Sequence, residues 1–383
     1  MRVAVIVPRY GSGIVGGAES QARGFAEAAV RRGWEVEVWT TCARSHYSWE
    51  NVYQAGLYEE NGVQVRRFPV RWRDQGKWVE LEIKLASQGF LSPAEAYSWL
   101  DFGPHSPLLY AHVVRHAVDF DVIVVLPYTV PLTHYAAWLA LDRVVFWPCL
   151  HDEPYAYLEP VALLLESVWG VMFYSPEEAE LALRRLRIRP RRSAVLGGGV
   201  QLIGEEAPRI GLGPFLLYAG RLEEGKNVQL LYSYMQQYHS ERGRVRLVVI
   251  GGGPVRPPQH PAFVYLGFVP EEEKAALHRS ALALCQPSLQ ESFSLAIMES
   301  WLAGRPVLVH EDCPVTRGHV QRSKGGLWFR TYEEFAGAIN WFLEHPDLAA
   351  RMGENGRRYV LANYTWGSVL DRFERIVRAW RER

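Results

Sequence analysis

The sequence predicts an α/β protein built from two Rossmann-like domains that face each other across a cleft. Short, continuous apolar runs recur in both halves of the chain, and such runs are typical of parallel strands buried on both faces. Gly-rich turns and helical stretches alternate with these runs, which is the pattern of βαβ units. The chain has 383 residues, and at roughly 150 residues per domain this length favours two domains over one.

The first half opens with a βαβ unit. Val3–Val7 is an apolar run, a Gly-rich loop follows from Gly11 to Gly17, and a helical stretch extends from Ala18 to Arg32. Further strands of the same sheet are predicted at Glu35–Thr40, Asp121–Leu126, Arg143–Phe146 and Val171–Tyr174. We therefore predict a first domain over residues 1–200.

The second half repeats this architecture after a Gly-rich connection between Leu196 and Pro214. Its predicted strands are Phe215–Ala219, Arg246–Ile250, Phe263–Leu266, Leu282–Cys285 and Pro306–Val309. We predict a second domain over residues 201–363. An amphipathic pattern from Tyr364 to Trp380 predicts a terminal helix within residues 364–383.

The composition narrows the function classes. Lys plus Arg equals Asp plus Glu, 42 against 42, so we expect no nucleic-acid partner. The four cysteines lie far apart and show no metal-ligand spacing, so we expect neither a disulfide framework nor a metal site. The N-terminus resembles a strand rather than a signal peptide, and no apolar run reaches about 18 residues. We therefore expect a cytoplasmic protein.

Two Arg-rich segments, 66–78 and 184–192, leave a further contact open. They could attract the anionic inner face of a membrane, as a peripheral contact, or acidic glycans. The alternative is an ordinary solvated basic surface, given how heavily the chain uses Arg.

A pair of glutamates gives the strongest chemical signal. Glu291 precedes a predicted helix, Leu295–Ala303, which Ser294 is expected to cap with its hydroxyl and which Gly304 ends. The first free amides of such a helix attract an anion. Glu299 lies more than one turn inside the helix, so the two carboxylates can flank a phosphate. One could hold sugar hydroxyls and the other a ribose diol.

Two loops after predicted strands of the second domain carry groups suited to phosphate. Arg221 and Lys226 follow the strand Phe215–Ala219, and together they could clamp a diphosphate. A solvated basic turn is the alternative. Gly251 and Gly252 follow the next strand and would let a ligand approach the backbone, although a plain turn also explains them.

The first domain offers two candidate positions. Gly16 and Gly17 lie at a strand–loop–helix turn that would present backbone amides to a phosphate. They do not fit Gly-x-Gly-x-x-Gly, which argues against an ordinary dinucleotide site. His151 follows a strand and is a candidate site residue, although a structural histidine is the alternative.

Taken together, these motifs resemble glycosyltransferase family 4 in their order and approximate spacing. The resemblance extends over essentially the whole chain and rests on Gly16-Gly17, His151-Asp152, Gly220-Arg221 with Lys226, Gly251-Gly252-Gly253 and Glu291-x7-Glu299. It implies the GT-B fold, an N-terminal acceptor-side domain, a C-terminal nucleotide-sugar domain and a terminal helix that crosses back to the first domain. It also implies a nucleotide-sugar-dependent transfer that retains the anomeric configuration.

The resemblance also implies roles for individual residues. Arg221 and Lys226 would neutralise the donor diphosphate, Glu299 would bind the ribose hydroxyls, and Glu291 would hold hydroxyls of the transferred sugar. His151 would lie beside that sugar. Neither glutamate is expected to act as a covalent nucleophile, because the family is commonly explained by front-face attack.

The remaining donor contacts are implied in the same way. They are Gly16 and Gly17 from the first domain, Gly251 and Gly252, the backbone of Leu266, Gly267 and Phe268 beside the base, and the loop Ser292, Phe293, Ser294 and Leu295 at the distal phosphate. Ser292 and Ser294 stand where many family members have glycine, so we expect the fine geometry of this loop to differ from theirs.

The sequence thus predicts transfer of a hexosyl unit from a UDP- or GDP-sugar to a cell-surface polysaccharide or glycolipid precursor. No cofactor and no metal are expected, because Arg, Lys and helix amides can stabilise the leaving diphosphate. The alternatives are a transferase with a small-molecule acceptor, a non-catalytic GT-B partner subunit that binds nucleotide sugar or glycan, and a sugar-nucleotide epimerase. The nucleotide base, sugar, acceptor, linkage and oligomeric state stay open.

Overall fold

The computed structural model describes residues 1–14, 16–202 and 210–382. The chain divides into two compact units: unit 1 comprises Met1–Gly199 with Val369–Arg383, and unit 2 comprises Val200–Ser368. The middle of the predicted connection between Leu196 and Pro214 lies outside the described residues.

Unit 1 is an α/β unit with a mostly parallel sheet. Its strands are β1 (Arg2–Ile6), β2 (Glu35–Thr41), β3 (Gly56–Glu60), β4 (Val63–Phe68), β5 (Arg71–Trp72), β6 (Pro104–His105), β7 (Val122–Val125), β8 (Val144–Phe146), β9 (Gly170–Phe173) and β10 (Ser193–Val195). Over its described residues, eight of these form one sheet in the order β10-β9-β8-β7-β1-β2-β4-β3. Every neighbour pair in this sheet is parallel except β3 with β4, and β5 pairs separately with β6.

Helices cover this sheet and supply much of its core. They are α1 (Gly17–Arg31), α2 (Gln75–Gln88), α3 (Pro93–Phe102), α4 (Pro107–His116), α5 (Pro131–Trp138), α6 (Glu159–Ser167) and α7 (Pro176–Glu180). In α1 the apolar positions Ala22, Phe25, Ala26 and Ala29 recur at helical spacing and are fully buried. This periodicity places one face of α1 on the sheet.

Unit 2 contains a sheet with only parallel pairs. Its strands are β11 (Phe215–Ala219), β12 (Arg246–Ile250), β13 (Phe263–Gly267), β14 (Ala283–Gln286), β15 (Val307–His310) and β16 (Gly326–Phe329). Within residues 210–368 these six strands lie in the order β13-β12-β11-β14-β15-β16. The helices that follow are α8 (Val228–Arg242), α9 (Glu271–Ser280), α10 (Leu295–Leu302), α11 (Pro314–Ser323), α12 (Tyr332–Glu344), α13 (Pro346–Asn363) and α14 (Trp366–Arg381).

The terminal helix α14 packs into unit 1 from Val369 onward. The ring of Phe373 lies edge-on to Phe25, with centroids 5.1 Å apart. Trp380 lies over Gly170, where a Cβ would overlap the indole ring. Both contacts bury apolar surface, which is the main force that holds such a helix in place.

The predicted α/β class with two parallel-sheet domains is confirmed. β11 and β12 occupy the predicted residues, and α1 begins at Gly17, one residue before the prediction. The β3–β4 hairpin and β16 were not predicted. In the hairpin, β3 is largely exposed and gives little apolar signal. None of the helices among the described residues is both long and apolar enough to cross a membrane.

Candidate active site

The candidate site in unit 2 lies at the carboxyl ends of two neighbouring strands. β11 pairs in parallel with β14, with Leu216 opposite Ala283. The loops after both strands therefore start at the same edge of the sheet. The first loop carries Arg221 and Lys226, and the second carries Glu291. Residues that are far apart in the chain can meet here.

Lys226 and Glu291 form the central contact. Lys226 Nζ lies 2.7 Å from Glu291 Oε1, and the two side chains are only 17% and 10% exposed. Gln286 Nε2 donates to the same carboxylate oxygen at 3.2 Å. Beside them, Asn227 Nδ2 donates to the carbonyl of Pro287 at 3.1 Å and joins the two loops. A pair this sheltered is screened less by salt than a surface ion pair.

Arg221 lies closer to solvent. Its guanidinium pairs with the Glu223 carboxylate at 3.0 Å and is 44% exposed. The hydroxyl of Tyr218 donates to the Arg221 carbonyl at 2.7 Å, which fixes the backbone of the loop. The structure thus brings Lys226 to Glu291 and Arg221 to Glu223. That both cations share one diphosphate stays a prediction.

The glycine run after β12 has a packing reason inside the protein. A Cβ at Gly251 would overlap the carbonyl oxygen of Gly220, and one at Gly253 would overlap that of Leu222. Both glycines also have positive φ, +117° and +156°. The Leu222 amide donates to the Gly252 carbonyl at 2.9 Å. The loops after β11 and β12 are therefore in direct backbone contact, and a ligand contact at Gly251 or Gly252 stays a prediction.

Glu299 is held by two residues of α9. Its Oε1 lies 2.9 Å from Lys274 Nζ, and its Oε2 lies 3.7 Å from Nε2 of the fully buried His278. Burial by itself raises the pKa of Glu299, but the neighbouring His278 imidazole and the charged, hydrogen-bonded Lys274 outweigh it. The net result is a pKa of about 2, so Glu299 is a carboxylate at neutral pH.

The start of α10 corrects one expectation. Ser294 is the residue before the helix, as predicted, but its hydroxyl makes no capping hydrogen bond to the first turn. Ser294 has φ +72° and ψ +85°, whereas a capping serine normally has an extended backbone that aims its hydroxyl at the helix amides. Its Oγ instead lies 3.4 Å from Gln286 Nε2. The helix ends at Leu302 rather than Ala303.

The neighbouring loop residues are fixed by aromatic packing. The ring of Phe293 is buried and lies edge-on to His319 and Tyr364, with centroids 5.5 and 5.1 Å apart. This anchor holds the backbone from Ser292 to Leu295 at the N-terminus of α10, where the free amides lie.

The segment predicted to flank a nucleotide base closes β13. Gly267 is the last residue of the strand, and Phe268 follows it with 70% of its surface exposed. A Cβ at Gly252 would overlap the Phe268 ring, so the ring lies against that glycine. The hydroxyl of Tyr265 donates to the Gly251 carbonyl at 3.2 Å. An aromatic face beside this backbone could stack on a base.

In unit 1, Gly16 and Gly17 begin α1 as predicted. The carboxylate of Glu19 lies so close that a Cβ at Gly16 would overlap it, whereas a Cβ at Gly17 would meet nothing within 4 Å. Glu19 is paired with Arg9, and both side chains are largely buried. A carboxylate in the first turn interacts favourably with the helix dipole, so Glu19 already occupies part of the space predicted for a phosphate.

His151 lies within a network of acidic and phenolic side chains. Its Nδ1 is 3.6 Å from Glu153 Oε1, which also accepts a hydrogen bond from the Tyr128 hydroxyl at 2.6 Å. Asp152 pairs with Arg185. The imidazole is 24% exposed. Such a carboxylate neighbour can orient a histidine ring and select its tautomer.

A buried carboxylate holds the backbone next to His151. Glu178 is 1% exposed, and its oxygens accept hydrogen bonds from the amides of Leu150, at 2.6 Å, and Tyr174. Ser175 caps α7, since its Oγ accepts a hydrogen bond from the Glu178 amide at 3.1 Å. Burial raises the pKa of Glu178 to about 8, although the backbone donors oppose that shift. Glu178 therefore joins the loop after β8 to the segment after β9.

The match to a family model covers part of this architecture. Residues 206–359 match the model described as glycosyl transferases group 1. A glycosyltransferase 1 domain-containing protein 1 from Xenopus tropicalis is 27% identical over 177 residues, 43% of this chain and 49% of that protein. The chain thus spans about half the length of this relative.

Two further comparisons extend over nearly the whole chain. An uncharacterized glycosyltransferase of Methanocaldococcus jannaschii is 22% identical over 393 residues and 96% of each chain. The structure of HepE from Anabaena in complex with UDP-glucose covers 99% of this chain and 100% of its own, with a TM-score of 0.70 at 15% identity.

The chain has the GT-B fold.

The predicted fold is confirmed, and the match over residues 206–359 supports a group 1 glycosyltransferase. Membership of family 4 stays a prediction. So do the donor, the retention of configuration and the acceptor.

Among the predicted site residues, the structure joins Lys226 directly to Glu291 and places Ser294 at the end of the same loop. Glu299 lies further along α10 with partners of its own. His151, Gly16 and Gly17 belong to unit 1.

The sequence reading missed Gln286, Lys274 and Glu178. Lysine is scarce in this chain, so Lys274 could have been found by asking what each lysine pairs with. Gln286 is a polar residue at the end of an apolar strand, which also marks it as a site candidate. Glu178 follows Ser-Pro-Glu and looks like an ordinary acid in a first helical turn. Nothing local reveals its burial.

Proposed function

We propose that this protein is a glycosyltransferase that moves a hexosyl unit from a UDP- or GDP-sugar to a cell-surface polysaccharide or glycolipid precursor, with retention of configuration. The observation that carries the proposal is the sheltered Lys226–Glu291 pair, 2.7 Å apart, at the carboxyl ends of β11 and β14. It supplies a cation for a phosphate and a carboxylate for sugar hydroxyls in one place.

The leaving diphosphate is the group that this site stabilises. As the bond from the anomeric carbon to the phosphate oxygen breaks, negative charge builds on the diphosphate. Lys226 can turn from Glu291 to a phosphate oxygen, and the free amides at the start of α10 point toward the same anion. Arg221, at the rim, adds a second cation. No step in this scheme requires another group to supply charge.

Glu291 serves as a hydrogen-bond acceptor rather than a nucleophile. Its Oε1 already accepts from Lys226 and Gln286. When a sugar binds, its hydroxyls can donate to this carboxylate. In a front-face reaction the acceptor hydroxyl attacks on the side of the departing phosphate and passes its proton to that phosphate, so Glu291 forms no bond to carbon.

Glu299 is suited to a ribose diol. Its pKa of about 2 keeps it a carboxylate, and two carboxylate oxygens can accept from two adjacent hydroxyls. The structure of HepE with UDP-glucose favours UDP-glucose as the first donor to test. The roles of Gly17 and His151 beside the donor follow from the family resemblance. Free thiols at all four cysteines fit the proposed cytoplasmic location.

The first test is calorimetric titration with UDP and GDP. We expect one nucleotide to bind wild type and to bind Glu299→Ala more weakly, by roughly tenfold or more, because the ribose loses its acceptor. Glu272→Ala, on the exposed side of α9, is the matched control and should bind as wild type does. If neither nucleotide binds wild type, the proposed donor site is wrong.

A second test separates a transferase from a binding protein. Wild type supplied with a sugar conjugate of the nucleotide that it binds should hydrolyse this donor slowly and release free nucleotide and free sugar. Glu291→Ala should still bind nucleotide but lose this turnover. Nucleotide binding without any turnover would favour the non-catalytic alternative, and an altered sugar still attached to the nucleotide would favour an epimerase.

A further inference from the structure

Unit 1 contains a polar cavity of its own. It has a volume of about 360 Å³ and lies between the loop Gly11–Gly13, after β1, and the β3–β4 hairpin. This size is within the range of small-ligand pockets in proteins. The same loop leads on to Gly16 and Gly17, so the cavity borders a segment that the family resemblance connects with the donor.

Arg67 forms the wall of this cavity and is held in place on several sides. It is 5% exposed. Its Nη1 donates to the carbonyl of Tyr10 at 2.8 Å, and its Nη2 pairs with Glu60. The guanidinium also lies over the ring of Tyr53, 4.4 Å from the centroid. Both Nη atoms are thus engaged inside the protein, and the guanidinium contributes a positive charge that is fixed in place at the cavity wall.

The hairpin side supplies acceptors and an amide. Glu59, Glu60 and Asn61 line the cavity. Asn61 Nδ2 donates to Glu27 at 2.9 Å, which orients the amide. Carboxylates, an amide and a guanidinium provide both acceptors and donors, which is what a ring with several hydroxyl groups requires.

The hydroxyl of Tyr10 is an unexplained polar group beside this cavity. Tyr10 is 1% exposed, and its hydroxyl has no hydrogen-bond partner among the described residues. Burial raises its pKa, and the nearby charges of Glu27 and Glu60 raise it further, whereas Arg23 and Arg67 lower it. The hydroxyl therefore lies among the same charged groups. Buried hydroxyls are usually paired. Tyr10 itself does not line the cavity, so its hydroxyl marks only the polar surroundings of the cavity wall.

We propose that this cavity binds a neutral saccharide, as part of the acceptor. The ionised side chains that line it are Glu59, Glu60 and Arg67, one positive charge against two negative, for a net charge of −1. This balance disfavours phosphate and carboxylate groups and accepts uncharged hydroxyls. That the bound saccharide is part of the acceptor rests on the proposed function. A neutral ligand argues against the acidic glycans and anionic lipid heads that the two Arg-rich segments could attract.

Gly13 offers a way to block the cavity without removing any polar group. It lines the cavity, and a Cβ added there would meet nothing within 4 Å. Gly13→Phe should therefore fill space without straining the backbone. Gly337, exposed on α12 with equally open surroundings, gives Gly337→Phe as the matched control in unit 2.

The experiment is saturation-transfer NMR with methyl α-glucoside, methyl α-mannoside and methyl α-galactoside, with methyl α-glucuronide as the anionic probe. We expect wild type and Gly337→Phe to bind at least one neutral glycoside, and Gly13→Phe to bind it roughly tenfold more weakly or worse. The glucuronide should bind wild type more weakly than the neutral sugars, and Glu59→Gln should narrow that difference.

Titration with UDP and GDP distinguishes the possible failures. Unchanged nucleotide binding in Gly13→Phe shows that the variant is folded, so loss of glycoside binding then supports the proposal. Binding of nucleotide but of no neutral glycoside by wild type overturns the proposal and leaves the donor site intact. Equal glycoside binding by wild type and Gly13→Phe also overturns it. Absence of nucleotide binding to wild type refutes the proposed function instead. The glycoside result then still decides whether the cavity binds a saccharide.

Discussion

The carboxylates of the two units are stabilised in opposite ways. In unit 2, Glu291 and Glu299 each lie beside a lysine, at 2.7 and 2.9 Å. In unit 1, Glu178 accepts hydrogen bonds from backbone amides and is fully buried. The pKa of Glu299 is accordingly lowered to about 2, whereas burial raises that of Glu178 to about 8.

This difference shows which acids can act on a charged ligand. A carboxylate with a lysine partner keeps its charge and shares a cation that can move to a phosphate. A fully buried carboxylate without a cation is disfavoured as an ion even when amides donate to it, and the role of Glu178 is to fix the backbone. Opposite pKa shifts within one chain therefore separate binding acids from structural ones.

Breaking the Lys226–Glu291 pair should have the largest effect. Lys226→Met removes the cation proposed to face the leaving diphosphate, so we expect the transfer rate to fall by roughly 10²–10³-fold. Single-turnover release of the nucleoside diphosphate measures this rate. Lys84→Met breaks another lysine–glutamate pair, with Glu95 in unit 1, and should leave the rate unchanged. Equal rates for the two variants would show that Lys226 has no part in the reaction.

Removing the ionisable group of Glu178 should change how the free energy of unfolding depends on pH between about 4.5 and 8. The folded pKa of about 8 exceeds the ordinary value of 4.5, so the folded state binds the extra proton and loses stability as pH rises from about 4.5 through 8. Glu178→Gln lacks this loss. Its free energy of unfolding relative to wild type should rise over that range by on the order of 2–4 kcal/mol.

Hydrogen–deuterium exchange of the Leu150 and Tyr174 amides gives the local measurement for this variant. Glu180→Gln, on the exposed side of α7, is the control and should show the wild-type pH dependence. A pH dependence identical in Glu178→Gln and wild type would mean that Glu178 titrates normally.

Replacing Lys274, the lysine partner of Glu299, should change the free energy of unfolding and its pH dependence on the acidic side. The folded pKa of Glu299, about 2, lies below 4.5, so its contribution is present above about pH 4.5 and is lost as pH falls toward 2. In Lys274→Met the carboxylate loses a charged donor, so we expect a higher pKa and a loss of about 2 kcal/mol at neutral pH. NMR titration of the Glu299 carboxyl carbon measures the shift. Glu271→Gln removes only the exposed partner of Lys274 and should leave that pKa low.

The smallest effect is expected from the backbone between the two lysine-paired carboxylates. Ser294 has φ +72°, a conformation that costs a serine more than a glycine. Ser294→Gly should raise the free energy of unfolding by about 0.5–1 kcal/mol. Lys324→Gly, at φ +54° after α11, should give a similar gain. Thermal unfolding compares them, and only Ser294→Gly should alter nucleotide affinity.

The sequence carried enough information for many strands of the two sheets. Apolar runs located β11 and β12 because buried parallel strands need continuous apolar residues. Lys226 and Glu291 could be singled out because both lie in loops that follow strand ends. Lys274 was missed because its contact with Glu299 depends on how α9 packs against α10, which no local pattern encodes. The prediction that the Ser294 hydroxyl caps α10 was wrong, because the loop backbone takes a left-handed conformation at Ser294.

The contact between Gly251, Gly253 and the loop after β11 also bears on how this enzyme could be redesigned. Any side chain at either glycine would displace Gly220 or Leu222, and with them the neighbouring Arg221, so this strip should resist substitution. Phe268, exposed at the end of β13, carries no such constraint. Libraries aimed at a new donor base would therefore do best to vary Phe268 and leave the glycines fixed.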